Sequence, residues 1–249
     1  MPSIAIGIAF HSRSQPLVNA VKSALEQGVA GHNVYVVVLD SSKSGCAYRL
    51  LHRFREEPRM LILKGCARSA YAARNKLLRH AEARWKDLTW HVRLDADDSF
   101  VSKVALSSAL HSAKPKHRVI LAGNRQIAPN GRLVGRNLPT PQMLDRGQLL
   151  ARIARMAEGD FKAELPSCNL ILKAGFKWKY PARKSAEDHW LVAHILLSSR
   201  PEWVGIRRLE LVNYRLGGAL TTANKKSAHY SLQRQALLEA AVGWGTYDR

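Results

Sequence analysis

Short apolar runs of strand length alternate with helical periodicities through the first half of the chain, and this predicts an α/β protein on a mostly parallel sheet. The first run, Ser3 to Phe10, is continuously apolar, as a strand covered on both faces is. Two later runs end in an aspartate, Asp40 and Asp95. Open parallel sheets take their ligands at the carboxyl ends of the strands, so both acids are placed for function.

The elements follow in order. After the first strand, Ser14 is a candidate N-cap and Pro16 sits in the first turn. Leu17, Val21 and Leu25 then recur at helical spacing until Gly28. Asn33 to Asp40 (NVYVVVLD) is a second, β-branched strand. Cys46 to Phe54 predicts a short helix, Met60 to Lys64 a third strand, Cys66 to Trp85 a helix and Thr89 to Asp95 a fourth strand. Beyond residue 100 the pattern loosens. A helix over Val101 to Ser112, a strand over Arg118 to Gly123, and an Asn130-Gly131 turn between edge strands come next. They are followed by a basic amphipathic helix over Gln142 to Ala157, a strand over Leu165 to Leu172 and a helix over Glu187 to Ser199 with a strongly apolar face. A strand over Leu209 to Tyr214 and a last helix over Ser227 to Val242 complete the order. No repeat or linker divides the 249 residues, which read as one domain.

Composition narrows the function classes. The chain is 46% hydrophobic, enough for a sizeable core, and its 39 Lys and Arg against 19 Asp and Glu leave a net charge of +20. That excludes an acidic disordered module and points to a polyanionic partner or an anionic surface. Cys46, Cys66 and Cys168 are too few and scattered for a disulfide framework or a zinc site, and read as reduced thiols of a cytoplasmic protein. The apolar start is too short and lacks the basic flank of a signal peptide. No run approaches the roughly 20 apolar residues of a membrane span.

The sharpest chemical feature is Asp95-Ala96-Asp97-Asp98 closing a buried strand. Clustered carboxylates repel and are costly to desolvate, and a divalent cation with oxygen preference compensates them while gripping a diphosphate. The bland alternative has Asp98-Ser99 capping the helix near Val101, with Asp95 and Asp97 solvated.

The order of SRSQPL, VVVLDSSKSG, SAYAARNKLLRHA running into HVRLDADD, then SAEDHWL and NYRLGGALTT, resembles the family 2 glycosyltransferases of the GT-A fold. The resemblance covers residues 3 to 100 in good order and about 165 to 222 more loosely. It implies a Rossmann-like sheet flanked by helices, with a nucleotide-sugar-binding half over 1–100 and a more irregular acceptor-binding half over 101–249. It also implies an inverting transfer of one sugar from a nucleotide diphosphate sugar with Mn2+ or Mg2+. Residue by residue, Asp40 would meet the nucleobase, Arg74 and Asn75 would line the nucleotide pocket, and Asp95 would lie near the ribose. Asp97, with Asp98 beside it, would contact the metal, and Asp188 would be the catalytic base with Glu187 in support.

Each role has a plainer alternative. Asp40 would cap the loop that follows it, Arg74 would be a solvated helix residue, and Glu187-Asp188 would offset a helix dipole. His189 is expected to be packed or solvent-facing. Tyr214-Arg215 before Gly217-Gly218 would be a strand end and turn, where the family often has a loop that folds over the donor. The chain also departs from the family. Leu39 and Ser44 stand where it usually has further acids, leaving the donor base open. The Gln/Arg-x-x-Arg-Trp element of processive synthases is absent, which implies a single addition.

Positive charge gathers in two acid-free spans. One, between Asp98 and Asp145, holds Lys103, Lys114, Lys116, Arg118, Arg125, Arg132 and Arg136. The other, Leu165 to Ala186, holds Lys173, Lys177, Lys179, Arg183 and Lys184, interleaved with Phe176, Trp178 and Tyr180. Basic residues alternating with aromatics suit a phosphate backbone with exposed bases, although Phe176 and Trp178 equally suit a core. On the acceptor side this favours a polyanion, such as a hydroxymethylated base in DNA of the kind phages modify. A cell-envelope glycan or lipid, with the protein at a membrane periphery, is the alternative acceptor. The alternative of another class is a non-enzymatic nucleic-acid-binding protein, against which the DADD and Glu187-Asp188 carboxylates argue.

Overall fold

The computed structural model describes residues 1–11, 16–42, 45–183, 185–217 and 228–244. Four parallel strands, β1 (Ser3–Phe10), β2 (Asn33–Asp40), β3 (Met60–Lys64) and β4 (Leu88–Asp95), form one side of a single nine-stranded sheet. Between them run α1 (Pro16–Leu25), α2 (Cys46–Leu50) and α3 (Ala70–Arg84). The proposed N-cap Ser14 lies outside the described residues, as do Ser44, Lys184 and Gly218. Past β4 come the two-residue β5 (Ser99–Phe100), α4 (Ala105–Leu110), β6 (Val119–Ile127), β7 (Leu133–Asn137) and α5 (Arg146–Ala157). The chain continues through β8 (Leu170–Lys173), α6 (Glu187–Ser198), β9 (Val204–Arg215) and α7 (Ala228–Gly243). Strand order is β3-β2-β1-β4-β8-β6-β9-β5, with β7 also on β6. The sheet is mixed at β8, which is antiparallel to both β4 and β6, while β6 and β9 are parallel.

Side-chain size along β1 explains how the layers close. Ile4, Ile6, Ile8 and Phe10 share one face and are buried with Leu17, Val21, Val36, Val38, Val92 and Leu94. Ala5, Gly7 and Ala9 share the other, so α3 packs close and Leu77 approaches Gly7. A second core gathers α5, α6 and α7 against Val119, Leu121, Leu170 and Leu172. Here α6 differs from expectation: it is buried nearly all round, with His189, Trp190 to Ala193 and Ile195 to Ser198 all inside. A helix apolar on every side belongs within a core. Among the described residues, no helix is long and apolar enough to cross a membrane.

Other corrections have local causes. The helix expected from Cys66 starts at Ala70, where the Ser69 hydroxyl caps it by accepting from the Ala72 N–H. The helix expected from Val101 starts only at Ala105, because Ser99 and Phe100 are extended and paired with Asn213 and Val212. The strand expected from Leu165 is interrupted after Pro166 by a turn of 3-10 helix, Ser167–Asn169, and β8 begins at Leu170. The Asn130-Gly131 turn is present, with Gly131 at φ +83° and β6 and β7 on either side.

Candidate active site

Parallel register brings the strand-end acids to one edge. Phe10 of β1 stands opposite Asp40 and Ala9 opposite Asp95, so the two acids flank the end of β1 roughly 10 Å apart across two strand spacings. The next residue, His11, feels the charges of both Arg74 and Asp40. Burial and then Arg74 lower its pKa against the pull of Asp40, so its ring is neutral near pH 7.

The alternation in β4 builds the centre. Trp90, Val92 and Leu94 enter the first core, while His91, Arg93 and Asp95 share the opposite face. Arg93 is buried and divides its donors. Nε and Nη2 hold Asp95 at 2.9 and 2.6 Å, and Nη1 reaches Asp188 at 3.0 Å and the Ser167 carbonyl at 3.1 Å. Arg74 crosses the same space from α3. Its Nη2 meets Asp95 at 3.3 Å, its Nη1 pairs with Glu187, and its guanidinium lies 5.4 Å from the Tyr180 ring centroid. Two guanidiniums therefore tie the end of β4 to the start of α6. Neither is a solvated surface arginine.

Glu187 and Asp188 are aimed inward by a strained residue. Ala186 has φ +57°, the left-handed region that a residue with a Cβ rarely adopts. Asp188 also accepts from the Ser167 hydroxyl at 3.0 Å and from the His189 N–H at 2.9 Å. Burial opposes its charge, but Arg93, then His189 and Arg74, hold its carboxyl far below the usual aspartate range. Burial likewise opposes ionisation of Asp95, and Arg93 and Arg74 overcome it. Arg93 is pushed the other way: burial disfavours its charge, yet Asp95 and Asp188 raise it well above an ordinary guanidinium. At Glu187 burial wins over Arg74 and the carboxyl is raised.

Asp97 and Asp98 have no guanidinium of this kind. Asp97 is exposed, and desolvation followed by the charge of Asp95 raises its pKa. Asp98 is buried, and desolvation followed by Asp95 and Asp97 raises it well above the usual range. Its Oδ1 accepts the Arg215 N–H at 2.9 Å, so it fastens the end of β9 and does not cap a helix. Uncompensated negative potential on two adjacent carboxylates fits a divalent cation. Among the described residues, no three His, Cys, Asp or Glu side chains are gathered as a ready cage. An ion held here would take its remaining oxygens from a bound ligand, which is how Mg2+ is commonly held. Arg74 Nε is buried without a hydrogen-bond partner, which leaves a spare donor for an anion.

The other expected residues are engaged elsewhere. Asp40 is buried, and its carboxylate accepts from Ser42 N at 2.9 Å, Ser42 Oγ at 2.6 Å and Ala47 N at 2.9 Å. Those bonds are the loop-capping role. Asn75 pairs in both directions with the backbone of Tyr180, Nδ2 to O at 2.8 Å and N to Oδ1 at 2.9 Å. It thereby straps the second basic span to α3. Phe176 and Trp178 are partly buried against the second core. Arg183 lies 3.8 Å over the Trp190 ring, and His189 is buried.

Sequence reading missed Arg93, Ser167 and His11. Arg93 had a usable signal, since it stands two residues before Asp95 and so on the same strand face. His11 directly follows β1, as a residue of the same crevice would. Ser167 had none, because the region read as a strand.

The sequence matches no protein-family model and no curated protein. The fold is shared with solved structures. Staphylococcus aureus TarS 1–349 in complex with UDP-GlcNAc superposes with a TM-score of 0.67 at 15% identity, covering 97% of this chain and 66% of that one. Glucosyl-3-phosphoglycerate synthase from Mycobacterium tuberculosis, in complex with Mn2+, UDP and phosphoglyceric acid, gives 0.61 at 13% identity over 99% and 80%. The mannosyltransferase PcManGT from Pyrobaculum calidifontis, in complex with GDP-Man and Mn2+, gives 0.56 at 18% identity over 98% and 65%. The chain thus spans just under two thirds of the length of the TarS and PcManGT chains. Its fold is of the GT-A type.

Proposed function

We propose that the protein is a metal-dependent glycosyltransferase that moves one sugar from a nucleotide diphosphate sugar to an acceptor hydroxyl, in the manner of the inverting family 2 enzymes. The observation that carries this reading is the locally acidic centre of a strongly basic protein. Asp95, Glu187 and Asp188 are tied to Arg74 and Arg93 at the carboxyl edge of the sheet, and Asp97 and Asp98 stand next to Asp95 without such a partner. A protein that only binds polyanions gains nothing from such a cluster. The GT-A fold and the donors and Mn2+ named for its structural neighbours support the same reading.

Asp97 and Asp98 would hold Mn2+ or Mg2+, whose chemistry when bound is to neutralise a departing diphosphate. Arg74, with its free Nε, would meet the diphosphate from the α3 side, and Asp95 would receive the ribose. Asp40, at the end of β2, would sit by the nucleobase, and Asn75 would keep the pocket wall in place. Asp188 is the proposed base. Arg93 keeps it ionised at every working pH, so it is always ready to accept a proton. The same pairing makes it a weak base until the acceptor oxygen has become positive through bond formation. Proton transfer is therefore late, and a single in-line attack inverts the anomeric centre. Glu187 steadies Arg74 in this arrangement.

We further propose residues 1–100 as the donor half and 101–249 as the acceptor half. A polyanionic acceptor, with a hydroxymethylated DNA base as the specific candidate, is supported by the net charge, by the exposed Arg132 and Lys179 and by the half-buried Arg183. The partial burial of Phe176 and Trp178 leaves that reading resting on charge, without base stacking. The test is covalent. The protein is incubated with Mn2+, UDP- and GDP-sugars and an acceptor panel of hydroxymethylated DNA, oligosaccharides and lipids, and the products are weighed. Release of nucleotide diphosphate with gain of one sugar on any acceptor supports transfer. Glycosylated nucleosides support the DNA acceptor, and their absence beside transfer to a glycan or lipid rejects it. No turnover of any donor with any acceptor rejects the enzyme.

A further inference from the structure

A cavity of about 440 Å3 opens on the flank of the sheet beneath the carboxylate–arginine network. One wall is the α3 face with Leu78, Arg79 and Glu82, and the other is the strap from Gly175 to Lys179. Its floor is His91, one pleat or roughly 7 Å along β4 from Arg93. The Asn75–Tyr180 pairing holds the strap against α3, and Leu78, His91 and Leu172 also line a narrower space that reaches Arg74 and Arg93.

We propose that this cavity binds a compact phosphate-bearing molecule, its phosphate among Arg79, Lys177 and Lys179 and its body against His91, Leu78 and Trp178. The three basic side chains are exposed, and none forms an ion pair among the described residues. Like charges gathered at one mouth focus a positive potential that an anion relieves. Glu82 is the one acid in the lining. Its Oε1 accepts the Gly175 N–H at 3.1 Å and stands 3.5 Å from His91 Nε2, so its charge faces the strap and floor. Lys173 adds its stem alone, since its ammonium donates to the Pro115 carbonyl.

The floor supplies the second sign of a ligand. His91 is 6% exposed, and its Nε2 faces the Glu82 carboxylate at 3.5 Å, too far for a well-formed hydrogen bond. A buried polar atom so weakly paired has hydrogen-bonding capacity left for a ligand. Burial lowers the His91 pKa against Glu82, leaving a neutral ring. A neutral imidazole beside a carboxylate suits a hydroxyl, and Leu78, Leu172 and Trp178 suit the apolar face of a small ring. The volume is that of an ordinary small-molecule site. The site goes beyond glycosyl transfer, and it shares Lys179 with the proposed acceptor surface.

Calorimetry with inorganic phosphate, a hexose 6-phosphate, the unphosphorylated hexose and duplex DNA tests it, with imidazole NMR reporting on His91. The hexose phosphate is expected to saturate at one per chain and shift the His91 signal, and the plain hexose to leave both unchanged. Arg79→Glu with Lys177→Glu, both on the surface, should weaken phosphate binding at least tenfold and leave nucleotide-diphosphate binding with Mn2+ as in the parent. Inorganic phosphate binding as tightly as the sugar phosphate would identify the free anion as the ligand, with the site upheld. Duplex DNA is expected to compete for Lys179, which the proposed acceptor surface shares. No saturable binding of either phosphate, or binding indifferent to the double reversal, would overturn the proposal.

Discussion

Arg93 holds Asp95 through two donors and Asp188 through a third, and it sits where its charge can leave neither. Removing one partner of a buried ion pair strands the others, at a cost of about 3–5 kcal/mol. Arg93→Met should therefore lower the melting temperature sharply, and should raise the pKa values of Asp95 and Asp188 that it now depresses. The pH dependence has a definite sign. Asp95 and Asp188 are depressed by folding, so their stabilisation is present above the unfolded aspartate pKa of about 3.9 and is lost as pH falls below it. Asp97 and Asp98 are raised, so the folded protein holds their protons where an unfolded chain has released them. A divalent cation must expel those protons. Mn2+ affinity should climb with pH through the acid range, with binding heats that depend on the buffer; heats independent of buffer would count against Asp97 and Asp98 as ligands. At the proposed base, Asp188→Asn should reduce turnover by about 10²–10⁴-fold and leave donor affinity nearly unchanged.

At the scale of elements, the centre depends on three pieces meeting: the polar face of β4, the first turns of α3 and the start of α6. Asn75 contributes two hydrogen bonds to the Tyr180 backbone, and Asn75→Ala should cost about 1–3 kcal/mol and loosen the strap. Hydrogen exchange at Tyr180 is the direct readout. Much of this was legible. The apolar runs at Ser3–Phe10, Asn33–Asp40 and Met60–Lys64 located β1, β2 and β3 with their observed bounds, because the buried β1 and β2 and the half-buried edge strand β3 all write their length as continuous hydrophobicity. Asp95, Asp97 and Asp98 were visible as carboxylates closing such a strand. Arg93 was missed because a basic residue inside an apolar run is read as an exception, when its parity with Asp95 assigns it to the same face. Ser167 and the short β8 were out of reach, because the turn after Pro166 depends on a tertiary contact with Arg93.

Over the whole molecule, the charge of +20 sets how the protein meets its surroundings. If the basic surface carries a duplex acceptor, binding should weaken with salt at a log–log slope of about 0.9 per phosphate neutralised. Reversing Arg132, Lys179 and Arg183 to Glu should flatten that slope and spare donor hydrolysis. A slope unchanged by the reversals would place the contact elsewhere. The strand order after β5 was not legible, since β6, β8 and β9 pair through long-range contacts that local pattern does not encode. Nor does a likeness of 13–18% identity carry substrate choice with it. The most direct test of a metal-dependent nucleotide-sugar site is calorimetry of UDP- and GDP-sugars, with and without Mn2+, on the parent and on Asp97→Asn. The parent should bind at least one donor only with Mn2+, and the variant should lose that binding roughly a hundredfold while keeping its melting temperature. Binding of no donor, or binding equally tight without metal and in Asp97→Asn, would contradict the account.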